Sequence, residues 1–262
     1  MTRRTAVDGH VHIHPHADLA ALLEAAVGNL SRLAGEGAGP CLLLTETARA
    51  DVFAEMRAGR RVPPGWTIET PAADPAAIVA CRGSHRLLLV AGRQIVTSEK
   101  LEVLALATCD RFADGASLDE TLEALHAAGI PAVLPWGLGK WIGKRGGIVA
   151  DRIARAKPGV ILGDNKGRPI GWPAPRIFNA DRGGIVLPGS DPLPIPGSET
   201  VVGSYGFLLE GGLDGDRPAA DLSARLHGLT AQPPVFGTRL GPVAALRAQL
   251  ALRRAKRAGV VA

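Results

Sequence analysis

Cysteine, aromatic residues and long apolar runs are all scarce in this chain, and each shortage removes a class of protein. The three cysteines, Cys41, Cys81 and Cys109, lack metal-type spacing and sit in or beside apolar runs. Free thiols in a reducing compartment are therefore expected, with no disulfide framework. No apolar run approaches the ~20 residues of a membrane-spanning helix, which predicts no membrane partner. The opening Met1-Thr2-Arg3-Arg4 is basic but has no apolar stretch or cleavage-like site behind it, so a cytoplasmic protein is expected. Aromatic residues make up 4 % of the chain beside abundant Ala, Gly, Arg and Pro; this is a bias of composition with little functional weight.

What is present suits one large α/β domain over residues 1–262. Hydrophobic residues make up 46 % of the chain, ample for a core, and no internal repeat divides it. Apolar spacing predicts helices over 19–33 and 48–56, and Ser117-Leu118-Asp119-Glu120 reads as a capping box opening a helix over 121–128. Apolar runs predict strands at 40–45, 66–69, 77–81, 86–95, 101–106, 132–134, 160–164 and 184–191. Strands alternating with helices favour a parallel barrel or a doubly wound sheet, with the functional face at the strands' carboxyl ends. The net charge of +5 is drawn partly from a basic C-terminal helix, where Arg247, Arg253, Arg254, Lys256 and Arg257 surround Leu246, Leu250 and Leu252. That segment has no interleaved aromatics and no recognition motif, so it reads as a solvated amphipathic helix with no nucleic-acid partner. No motif specifies an oligomeric state.

The chemistry-bearing feature is Asp8-Gly9-His10-Val11-His12, at the end of the first predicted strand. Residues two apart on a strand share a face, so the imidazoles of His10 and His12 can converge on one metal ion. A second feature is the glycine-rich basic segment from Gly137 to Gly147, which carries Lys140, Lys144 and Arg145. It is not a nucleotide-binding P-loop, because the Gly-Lys-Ser/Thr ending is absent. With Arg93, Lys166 and Arg168 at other strand ends, it predicts a cationic rim suited to a small anionic substrate.

Taken in order, the strand endings resemble the polymerase and histidinol phosphatase (PHP) superfamily of metal-dependent phosphoesterases. Asp8-Gly9-His10-Val11-His12 is similar to its opening Asp-x-His-x-His. Leu43-Leu44-Thr45-Glu46-Thr47, Ala91-Gly92-Arg93-Gln94, Leu101-Glu102-Val103-Leu104, Ala132-Val133-Leu134-Pro135-Trp136 and Gly189-Ser190-Asp191-Pro192-Leu193 resemble later motifs. The resemblance implies a distorted (β/α)7-type barrel of parallel strands with outer helices. It also implies that Thr47, Gln94, Glu102, Trp136 and Leu193 stand where the family carries metal ligands, so a trinuclear site is not complete. One reduced site remains, with His10, His12, Asp191 and the amide of Gln94 as ligands for a single divalent ion (Zn, Mn or Fe).

Such a site implies a metal-dependent hydrolase, a phosphoesterase above all, with an amide or lactone hydrolase as a variant. Asp191 would also orient water, Glu46 or Glu102 would accept its proton, and Lys140, Arg93 or Lys166 would stabilise developing charge. Lys140, Lys144, Arg145, Lys166 and Arg168 would bind the substrate. The alternative is a catalytically inactive PHP-like binding or scaffold protein, which need not hold a metal.

Overall fold

The computed structural model describes residues 4–35, 37–155, 160–178 and 184–259. In chain order the strands are β1 (Arg4–Val11), β2 (Ala38–Leu44), β3 (Thr67–Glu69), β4 (Ala77–Arg82), β5 (His85–Val90), β6 (Gly92–Val96), β7 (Glu102–Leu106), β8 (Ala132–Pro135), β9 (Val160–Asn165), β10 (Val186–Gly189), β11 (Tyr205–Glu210) and β12 (Val235–Gly237). The helices are α1 (Leu19–Ala34), α2 (Val52–Arg57), α3 (Leu118–Ala127), α4 (Lys144–Ala154), α5 (Pro218–His227) and α6 (Pro242–Arg257).

The strands form two mixed sheets, one ordered β12-β11-β1-β2-β5-β4-β3 and one ordered β10-β9-β8-β7-β6. This corrects the expected (β/α)7 barrel: among the described residues there is no closed barrel and the strands are not all parallel. β1 is antiparallel to β11, β4 to both β3 and β5, and β7 to both β6 and β8. For two of these pairs the connection explains why. Only Gly83 and Ser84 link β4 to β5, and residues 97–101 link β6 to β7, whereas a parallel crossover needs about a dozen residues or more.

The apolar run over 86–95 is two strands, not one. It breaks at Ala91, whose N–H donates to the Ala76 carbonyl (2.8 Å), so β5 joins the seven-stranded sheet while β6 joins the other. The glycine-rich basic segment is a loop only as far as Gly143; Lys144, Arg145, Gly146 and Gly147 open α4. The strands β11 and β12 and the helix α5 add to the elements expected from the sequence.

Local signals account for the best-formed helices. Asp18 caps α1 by accepting the Ala21 N–H (3.0 Å), and Leu19, Leu22, Leu23, Ala26, Val27 and Leu30 form one buried face. In α3 both halves of the Ser117/Glu120 capping box are present. α1, α2 and α5 contribute to one core cluster with the seven-stranded sheet. α3 and α4 contribute to a second, with Val103, Leu134 and Leu162 of the five-stranded sheet.

The sheets meet along β1 and β10. The Asp191 N–H donates to the His10 carbonyl (2.8 Å). Asp8, fully buried, accepts the Ser190 N–H at Oδ1 (2.8 Å) and the Gly203 N–H at Oδ2 (2.8 Å). Gly189 is the point of closest approach: a Cβ there would lie 2.3 Å from the His10 nitrogen and 2.4 Å from its Cβ. Gly189→Ala should therefore cost about 3 kcal/mol of stability, at the upper end for an overpacked site, measured by urea unfolding. Gly147→Ala is its control: a Cβ at Gly147 meets nothing within 4 Å, and in a helix it should add up to about 1 kcal/mol.

Candidate metal centre

β1 delivers His10 and, one residue beyond its end, His12 to the same side. Their Nε2 atoms lie 3.0 Å apart, and both rings are buried. From the other sheet, just past β10, Asp191 brings its Oδ1 to 3.7 Å from His10 Nε2 and 3.6 Å from His12 Nε2. A triangle with those three sides has a circumradius of about 2.0 Å, matching the roughly 2.0–2.2 Å bonds that zinc makes to imidazole and carboxylate. Among the described residues this is the one group of three His, Cys, Asp or Glu side chains close enough to share an ion.

The surroundings prepare these groups for a cation. Burial pushes His10 down to about 4, with Glu102 and Gln94 opposing. Burial, together with the neighbouring His10, pushes His12 down to about 3. Both imidazoles are thus neutral at pH 7 and keep a lone pair for a metal. Burial also raises Asp191, against the pull of His12 and Lys140. Both imidazoles have lost water while the Asp191 side chain stays 23 % exposed, and a divalent cation would supply positive charge to a largely desolvated carboxylate and two neutral ring nitrogens.

Asp191 is held from behind. Its φ of +46° lies in the left-handed region that few residues other than glycine adopt. Asn165, at the end of β9, donates its Nδ2 to Asp191 Oδ2 (2.9 Å) and to the Trp136 carbonyl (2.7 Å). Oδ1 is left to face the imidazoles.

Of the other expected site residues, Gln94, Glu102 and Lys140 line a cavity with His12 and Asp191. Lys140 forms an ion pair with Glu102, its stem lying over Gly137, where a Cβ would meet Lys140 Cδ at 2.6 Å. Gln94 Nε2 lies 3.4 Å from Glu102 Oε1. Glu46 and Arg93 are engaged elsewhere: Glu46 accepts the Phe53 N–H (3.0 Å), and Arg93 binds Glu46 (3.3 Å), the Ala50 carbonyl (2.8 Å) and Asp51 (3.1 Å). Arg168 is buried against Asp164, with two bonds of 2.6 Å. Arg145 donates to the Gly139 carbonyl (2.8 Å), and neither it nor Lys144 lines the cavities beside Asp191. Lys166 lines one of them but donates its Nζ to the Thr238 carbonyl (2.7 Å). His14 stacks on His12, with centroids 5.6 Å apart, and bonds to the Pro192 carbonyl (3.0 Å) outside the triangle.

Four residues at the site, Asp8, Asn165, Arg49 and Lys256, fall outside the ligand and rim residues that the sequence predicts. Asp8 was visible only as the first letter of its motif. Lys256 carried a usable signal, because Ala245, Ala248, Gln249, Leu252 and Lys256 recur at the three- and four-residue steps of one helix face.

No family model matches the chain, and no curated protein matches it. Its structure is similar to the crystal structure of PsfC from Pseudomonas syringae PB-5123, with a TM-score of 0.56 and 16 % sequence identity over 98 % of this chain and 99 % of that one. At that identity the likeness speaks for the fold alone. Fold and site together define an α/β protein of two mixed sheets with a His-His-Asp group able to hold one metal ion. No described helix is long and apolar enough to cross a membrane.

His10→Ala should abolish stoichiometric zinc binding, whereas Asn165→Ala should keep it but weaken it about tenfold to a hundredfold, the usual effect of removing a ligand's supporting bond. Competition with a chromophoric chelator reads both.

Proposed function

We propose that the protein is a metal-dependent hydrolase that holds one divalent ion, Zn, Mn or Fe, at His10, His12 and Asp191 and cleaves a small anionic ester, first of all a phosphoester. The observation that carries this reading is the Nε2–Nε2–Oδ1 triangle, whose dimensions suit one ion. The resemblance of Asp8-Gly9-His10-Val11-His12 and Gly189-Ser190-Asp191 to PHP motifs supports the choice of phosphoester. The bound ion would lower the pKa of a coordinated water and polarise a phosphoryl oxygen.

The chain's own residues do the rest. Asn165 fixes Asp191 so that one carboxylate oxygen serves the ion. Glu102, which lines the cavity and acts electrostatically on His10, is assigned as the base that takes the water's proton. Lys140 is assigned to the substrate's negative charge, exchanging part of its pairing with Glu102 for the anion. Glu46 and Arg93 are left out of the mechanism because their polar atoms already serve each other and α2. One observation favours a binding protein instead: Trp136 and Leu193 line the cavity beside Asp191, where the resemblance would have ligands.

Elemental analysis of untagged protein should find no more than one tightly bound ion per chain. Metal-loaded protein should hydrolyse members of a phosphomonoester panel, and His10→Ala and Asp191→Ala should each abolish this. Lys140→Ala should weaken phosphate binding about tenfold, close to the ~1.5 kcal/mol of one hydrogen bond to a charged group, with metal content unchanged. Metal-loaded protein that neither cleaves the panel nor binds phosphate would be the binding protein.

A further inference from the structure

Asp191 borders two cavities of different character. One, of about 560 Å³, has walls that include Trp136, Ile195, Val201, Ala244 and Ala248. The other, of about 500 Å³, has His14, His16, Arg49 and Gln94 in its wall. Glu102, Lys140, Asp191, Leu193, Leu252 and Lys256 line both. The metal centre therefore lies where a cationic vestibule meets a chamber that is apolar along α6 and at Ile195 and Val201 but polar at Asn165, Lys166 and Ser190, and each cavity falls in the size range of small-molecule sites.

Two charges of the vestibule are available. Arg49 and Lys256 have no ion-pair partner among the described residues, unlike Arg93, Arg168 and Arg145, whose polar atoms are consumed inside the fold. On the strand side of the chamber Lys166 is bonded to Thr238 and Asn165 Nδ2 is shared between Trp136 and Asp191, while Asn165 Oδ1 and Ser190 Oγ are buried without a partner. Its inner wall is α6, which presents Ala244, Ala245, Ala248 and Leu252 to it. The start of α6 is anchored, because the Leu240 N–H donates to the Lys166 carbonyl (2.9 Å) and the Ile170 N–H to the Leu240 carbonyl (2.8 Å).

We propose that the substrate is an amphipathic anion, the phosphomonoester of an apolar alcohol, with its phosphate in the vestibule against Lys140, Lys256 and Arg49 and its hydrocarbon body in the chamber under α6. The proposal rests on the hydrolase reading of the same site and names its substrate class. A hydrocarbon body gains burial along this wall, whereas hydroxyls placed along Ala244, Ala245, Ala248 and Leu252 would lose their water partners without replacement.

The test is the binding of non-hydrolysable probes to zinc-loaded protein by titration calorimetry: inorganic phosphate, then methyl-, butyl- and hexylphosphonate. Affinity should rise about threefold per methylene from methyl to hexyl, a little below the full burial value. Ala248→Trp, which fills the chamber from α6, should bring hexylphosphonate down to the affinity of methylphosphonate while inorganic phosphate still binds. Phosphate binding that requires zinc, with no rise along the alkyl series, would overturn the amphipathic substrate and leave the hydrolase reading standing. Failure of every probe, phosphate included, would remove both. A rise along the series that persists in His10→Ala and in Ala248→Trp would put the hydrocarbon on another surface and also overturn the proposal. The wild-type alkyl series decides the matter even if Ala248→Trp does not fold.

Discussion

The carboxylate of Asp8 lies in the core and gathers backbone N–H groups from distant parts of the chain. Its oxygens accept from Ser190 (2.8 Å), Gly203 (2.8 Å) and, more weakly, His10 (3.4 Å). Burial raises its pKa to about 6 against the pull of these donors. A buried carboxylate is tolerated only when its lone pairs are used, and here they are used to fix where the segment after β10 runs beside β1. Asp191 is the residue after Ser190, so the position of the third candidate ligand is inherited from the bond that Asp8 makes one residue earlier. Gly189 completes the arrangement by having no side chain to keep the strands apart.

The same junction accounts for the electrostatic state of the site. Two neutral imidazoles face each other at 3.0 Å, and neutral imidazole has one N–H to give. His12 Nδ1 is buried without a hydrogen-bond partner. The arrangement is therefore poor at satisfying its own polar atoms and well suited to accepting charge from outside. A ligand that binds only the folded chain returns that unspent interaction as stability, in proportion to the logarithm of its concentration over Kd. The neighbouring Lys140–Glu102 pair differs, because each partner already answers the other and remains part-exposed.

Much of the site was legible because it obeys short-range rules. The two-residue repeat of His10 and His12 at a strand end, the Gly-Ser-Asp at 189–191, the capping box at Ser117 and the apolar face of α1 are all read within a few neighbours. What escaped the sequence depends on partners far along the chain. The barrel failed as an expectation because an apolar strand does not state whether its neighbour is parallel, and the run over 86–95 does not state that Ala91 hands it from one sheet to another. The cationic rim failed in part for the same reason. Arg93 is spent on Glu46 and Asp51 and Arg168 on Asp164, while Lys256, read as part of a solvated helix, faces the cavities. The glycines of 143–147 concealed the start of α4, whose Val149 is buried in the second core; packing there overrides weak propensity.

His10 and His12 stand on one sheet and Asp191 follows a strand of the other, with most of the chain between them. An ion shared by the three would act as a cross-link, closing a loop of that length in the way a disulfide closes one. A clip across so long a loop removes a large share of the unfolded chain's freedom. Metal occupancy and the docking of the two sheets are then one equilibrium observed from two sides. An apo protein would keep each sheet and its helices, and the core that Leu187 shares with Val7 and Val11, while the polar end of the β1–β10 junction around His10 and Asp191 gained freedom.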